Sequence, residues 1–146
     1  MAVVGNLSTY LQEALLNHVL RNTAYTSPTT VYCGIVSDVA DDEEMEAGTL
    51  TNEITGYTGN RKAITFSAPA EVLDKATSKN SAVLEFELMP APAGREAKYA
   101  IICDAATAGH ILYWCPLVSG GVPTTKVWNT GDTFRVPADG LVCALQ

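Results

Sequence analysis

Lys98-Tyr99-Ala100-Ile101-Ile102-Cys103-Asp104-Ala105-Ala106-Thr107-Ala108-Gly109-His110-Ile111-Leu112-Tyr113-Trp114-Cys115-Pro116-Leu117 is the stretch whose reading settles the fold class. Two apolar runs, 98–103 and 110–117, flank a loop of small residues that ends in glycine. Runs this short and this rich in β-branched and aromatic residues are strands. The loop between them makes a hairpin with a turn longer than two residues. Asp104 opens that turn, where its side chain can accept backbone N–H groups, and Gly109 closes it.

The same punctuation continues on both sides. Toward the C-terminus, Ser119-Gly120-Gly121-Val122-Pro123 turns the chain. Residues 126–129, 133–136 and 141–145 then read as closing strands, with Gly131 and Asp132 as turn formers between the first two. Toward the N-terminus, Pro90-Ala91-Pro92-Ala93-Gly94 is a break, and strands are expected at 62–67 and 82–88 with Ala68-Pro69-Ala70 between them. Thr30-Val31-Tyr32-Cys33-Gly34-Ile35-Val36 is a further strand. Residues 38–60 hold an acidic run, Gly48, Gly59 and a turn-forming Gly56, and read as an extended surface excursion.

Only the start of the chain has helical period. Leu7, Leu11, Ala14, Leu15 and Val19 recur on one face, with Leu20 beside them, which predicts a helix over about 6–20. Asn6 or Ser8 would cap it, and Thr9 with Gln12 would form a capping box on a later start. Seven to eight short strands follow one helix, and no helices alternate with them. The expected architecture is mainly β: an antiparallel β-sandwich or barrel over about 29–146, with one N-terminal α-helix, in a single domain of residues 1–146.

Composition narrows the function. With 146 residues the chain can bury a core without metal or disulfide staples. Charged residues make up 17%, below the usual ~25%, which excludes a charge-rich disordered chain. Sixteen acidic and nine basic side chains leave a net charge of −7, the wrong sign for a phosphate backbone, so no nucleic acid is expected as partner. No apolar run approaches the ~18 residues of a membrane span, and no membrane partner or signal peptide is expected.

Catalytic patterns are missing. His18 and His110 have no nucleophile motif around them, and no phosphate-cradling glycine loop or metal-ligand spacing occurs. The acidic run 41–46 lacks the spacing and central glycine of a calcium loop. No catalytic residue, metal or cofactor is expected, and the chain is read as not an enzyme. Tyr113 and Trp114 must point to opposite faces of a strand, one to the core and one to the surface or an interface. Trp114 or Trp128 could then serve a carbohydrate-binding β-sandwich.

Cys33, Cys103, Cys115 and Cys143 each lie in an apolar β-like run, and no two form a Cys-x-x-Cys pair. Two readings stand for them. They are buried free thiols, or they form disulfides within or between chains once the protein has left the cell.

Four blocks in order carry a resemblance: residues 7–20 leading through Thr23-Ala24-Tyr25-Thr26-Ser27-Pro28; Asn52-Glu53-Ile54-Thr55-Gly56-Tyr57 leading to Arg61-Lys62-Ala63-Ile64-Thr65-Phe66; residues 100–114; and Gly131-Asp132-Thr133-Phe134 before Pro137-Ala138-Asp139-Gly140-Leu141. In these the chain resembles a family of small tailed-phage virion proteins, often labelled phage tail fibre protein, that includes capsid decoration (cement) proteins. The resemblance implies a structural role and carries over no catalytic residue. It leads to the expectation of a capsid decoration protein that stabilises the major capsid lattice by binding its assembled form. The alternative is a tail fibre, collar or tail-tip component. The expected partners are the major capsid protein or tail proteins, and further copies of the chain, with a trimer favoured. The expected location is the virion, after synthesis in the bacterial host cytoplasm.

Overall fold

The computed structural model describes residues 3–55, 61–87 and 95–145. In chain order the elements are β1 (Val3–Leu7), α1 (Thr9–Leu20), β2 (Val31–Ser37), α2 (Asp42–Ala47), β3 (Lys62–Ile64), β4 (Ala70–Val72) and β5 (Lys75–Lys79). They continue with β6 (Leu84–Phe86), β7 (Arg95–Cys103), β8 (Ile111–Pro116), β9 (Val118–Ser119), β10 (Val122–Pro123), β11 (Lys126–Trp128), β12 (Phe134–Val136) and β13 (Leu141–Leu145). The fold is mainly β, with a helix near the N-terminus.

The main sheet runs β3-β2-β7-β8-β1-β13-β5-β4. Its centre is the expected hairpin, with Ala100 opposite Cys115 and Ile102 opposite Tyr113. β11 pairs with the start of β7, at residues 95–97, where β8 no longer reaches. The chain leaving β3 then closes the sheet. Phe66 bridges Asn80, Ser67 N–H donates to Lys79 O at 2.8 Å, and Ser81 N–H donates to Thr65 O at 2.9 Å. Residues 62–72 thus begin on the edge of β2 and end on the edge of β5, and they curl the sheet into a barrel.

The apolar runs lack a polar face because both faces of the central strands are covered. Cys33, Ile35, Ala100, Ile102 and Cys115 face inward, onto Phe86, Trp128 and Phe134. Val36, Tyr99, Ile101 and Trp114 face outward and are buried with Ala40 and with Met45 of α2. Each fully buried Val, Ile, Phe or Met among them contributes ~1.5–3 kcal/mol by leaving water, and the alanines less. Tyr113 and Trp114 do point to opposite faces, but neither is a surface platform: Tyr113 packs against the inner core, and Trp114 lies in the outer one.

Asn80 fixes one end of the barrel. It is fully buried, and its amide donates to Ala82 O and Pro137 O, each at 2.9 Å, while its Oδ1 accepts from Leu141 N–H at 2.8 Å. A buried amide that satisfies three backbone groups at once, one beside itself and two at the turn into β13, holds the two segments in register.

Several expectations need correction. The helix starts at Thr9 and not at residue 6, because residues 3–7 form β1 in the gap between β8 and β13. Ser8 is the cap: its Oγ accepts from Leu11 N–H at 3.3 Å and donates to Ile111 O. β1 runs parallel to β13, with Val4 opposite Val142, so the sheet is not purely antiparallel. The excursion is not simply extended, since residues 42–47 form α2. Asp41 and Glu44 make a reciprocal capping box there, and three acidic residues occupy the first turn, where the helix dipole favours them. Its return leg packs on β2, with Ile54 N–H donating to Ile35 O at 2.9 Å. Ala70, read as part of a break, begins the β4–β5 hairpin.

Candidate interaction surface

The Asp104–Gly109 turn is the meeting point of three distant segments. Arg61 is buried beneath it and reaches the turn with one nitrogen, Nη1, which donates to Ala105 O at 2.7 Å and to Ala108 O at 2.6 Å. The other two nitrogens grip Glu53: Nε donates to Oε1 at 2.6 Å and Nη2 to Oε2 at 2.8 Å. Only a guanidinium has the planar fork for such an arrangement. Gly34 makes the room, since a Cβ there would stand 2.9 Å from Glu53 Oε1 and 3.2 Å from Arg61 Cγ.

Asp104 holds the turn from the other side. Its Oδ1 accepts from His110 N–H at 2.7 Å, and its Oδ2 lies 3.0 Å from His110 Nδ1. Partial burial pushes this carboxyl upward, but the backbone N–H, the ring nitrogen and the charge of His110 outweigh that and leave it below the usual value. Gly109 is required here: its φ is +70°, and a Cβ would fall 2.3 Å from Asp104 Oδ1.

Helix α1 is docked onto this turn by an aromatic stack. The Tyr10 ring lies 3.9 Å from the His110 ring, nearly parallel at 3°. Along the helix from there, Ala14 and Leu15 are half-buried and residues 18–20 are exposed. Leu11 is buried, whereas Leu16, Val19 and Leu20 are 58%, 74% and 74% exposed. The expected stripe therefore packs on the chain's own sheet at one end and faces outward at the other. His18 accepts from Tyr25 N–H at 3.3 Å and so helps to fold the following segment back along the helix.

The remaining sequence-derived candidates fall as follows. Asp104 and Gly109 form the turn just described. Gly131 has φ +87°, and Asp132 accepts Trp128 Nε1–H through its carbonyl at 2.8 Å and Asn129 N–H through Oδ2 at 3.2 Å. Gly56 lies outside the described residues. All four cysteines are free in the structure: Cys33, Cys103 and Cys115 are buried and Cys143 is half-buried. Burial pushes their thiols upward, to about 12 for Cys103, Cys115 and Cys143. Trp114 and Trp128 are 6% and 1% exposed, so neither offers the flat exposed ring of a sugar platform. Among the described residues no three His, Cys, Asp or Glu side chains gather at metal-binding distance, and no helix is long and apolar enough to cross a membrane.

Nothing in the local sequence marks Arg61 or Asn80 as a special position; their buried hydrogen-bond partners alone give each its role.

The order of these blocks along one closed fold can be set against known families. The family described as Podophage GP4 fiber I protein gp80 matches residues 6–144. The chain belongs to this family. The matched span takes in α1, the Arg61 clamp, the Asp104–Gly109 turn and all but the last residue of β13. Membership in this fibre family makes the chain a bacteriophage virion structural protein, as the resemblance implied. No curated protein matches it.

Proposed function

We propose that this protein is a non-enzymatic component of the phage tail fibre or its attachment, built into the particle through copies of itself and neighbouring tail proteins. The observation that carries this reading is the match to a fibre family over residues 6–144, which covers nearly the whole fold. It favours the tail alternative over capsid decoration, the reading preferred from sequence. The geometry supports a structural role. The buried Arg61–Glu53 fork and the Tyr10–His110 stack tie the loops and the helix into one stiff unit, and a fibre segment has to transmit load. Leu16, Val19 and Leu20 present exposed apolar surface at the end of α1, beside Arg21 at its C-cap, and such surface suits contact with another protein.

The test is copy number and position in purified particles. Quantification against the major capsid protein should give few to dozens of copies, and gold-labelled antibody should decorate the tail. A ratio near one copy per capsid subunit, with label over the shell, would establish the decoration reading and reject this one.

A further inference from the structure

One mouth of the barrel is open and apolar. Val31, Phe66, Ile102, Tyr113 and Cys143 contribute to its wall, around a cavity of about 270 Å³. No charged side chain lines it. Exposed Pro69, Ala76 and Leu145 also border it. Burial pushes the Tyr113 phenol up to about 12, in keeping with a dry wall.

The hairpin that forms part of this wall also carries a projecting apolar side chain. β4 and β5 are joined by Leu73-Asp74, with Val72 opposite Lys75 as the last pair. Both turn residues have left-handed backbone, at φ +50° and +61°. Such two-residue turns favour Asn-Gly, and a leucine in this conformation is an outlier. Leu73 is 90% exposed, so it gains nothing from its own chain in return.

We infer that Leu73 of one copy seats in the apolar barrel mouth of a second copy. The inference rests on the self-assembly proposed above and names its contact. The cavity is large enough for a branched aliphatic side chain, and its uncharged wall suits an uncharged occupant. The tight two-residue turn does not let Leu73 fold back into its own barrel. A second copy is the favoured occupant because knob and hole are both on this chain. They also share one hairpin, residues 65–81, so two hairpins set side by side about a two-fold axis can fill both holes together.

The experiment is the mass of the purified full chain by sedimentation over a concentration series. The wild type should self-associate. Leu73→Asn should weaken association on the order of 30-fold, the loss expected for a buried anchor residue. Its melting temperature should hold or rise, because Asn accepts the left-handed turn. Ala76→Phe, which fills the hole from the strand, should weaken association similarly in a chain of native circular dichroism. A wild type that stays monomeric throughout overturns the self-assembly and this contact together. A wild-type oligomer unchanged by Leu73→Asn overturns the contact alone, whatever the particle shows about tail or shell.

Discussion

The Arg61 guanidinium and the Glu53 carboxylate meet fork to fork, at 2.6 and 2.8 Å, with the Arg61 side chain only 1% exposed. The pair joins the return leg of the acidic excursion to the start of β3, and through Nη1 it reaches a turn more than forty residues further along the chain. Removing Arg61 would leave a nearly buried carboxylate and two turn carbonyls without their donor. Arg61→Ala should therefore cost about 3–5 kcal/mol in urea unfolding. Arg61→Lys should recover only part of this, because one ammonium cannot span both oxygens and the turn. A loss below 1 kcal/mol for the alanine variant would show that the clamp is dispensable.

Gly34 is limited by space. An added Cβ would press on Glu53 Oε1 and on Arg61 Cγ, and neither can withdraw while the fork holds. Gly34→Ala should destabilise by about 1–3 kcal/mol. In an Arg61→Ala background the same substitution should cost less, since Arg61 Cγ is then gone and Glu53 is free to move, and only Ile101 Cγ1, 3.2 Å from the added Cβ, still crowds it. A double-mutant cycle reads this difference directly.

Asp104 makes the fold acid-sensitive in a defined direction. Its carboxyl sits lower in the folded chain than in the unfolded one. The stability it contributes is therefore present above the ordinary carboxylate value of about 3.8 and is lost as pH falls through the lowered folded value. Asp104→Asn should flatten the stability profile in that acid window and lower stability at neutral pH. Urea melts across pH 2 to 7 check both; an unchanged acid slope would rule Asp104 out as its source.

The thiols should be quiet in the native protein. Burial raises all four, and three are fully enclosed. Iodoacetamide at neutral pH should label Cys143 slowly and the other three hardly at all, with four labelled sites appearing in denaturant. Non-reducing gels of purified particles should show a monomer band. A ladder that collapses on reduction would instead establish the inter-chain disulfide reading.

Local pattern carried much of the fold. The hairpin around residues 104–109 was legible because two apolar β-type runs flank a turn with Asp at one end and Gly at the other. β2 and β13 were legible for similar reasons. The β4–β5 hairpin was not, because Ala70, Glu71 and Val72 are all exposed and leave no hydrophobic alternation, and because Leu73-Asp74 is not a sequence that announces a turn. α2 had a readable signal in Asp41 and Glu44, three residues apart, but its six residues are too few for periodicity to show.

Composition, short apolar runs and the order of four motif blocks were enough to assign a mainly β phage virion protein, since these depend on neighbours along the chain. Three other features depend on groups brought together from far apart. Closure of the sheet needs Phe66 to meet Asn80, and β1 takes its place only because β8 and β13 leave a gap beside each other. Arg61 acquires its role only when Glu53, Ala105 and Ala108 surround it. A buried charge has no signature in local sequence: what makes it structural is the set of acceptors that folding places around it, at distances no spacing rule contains.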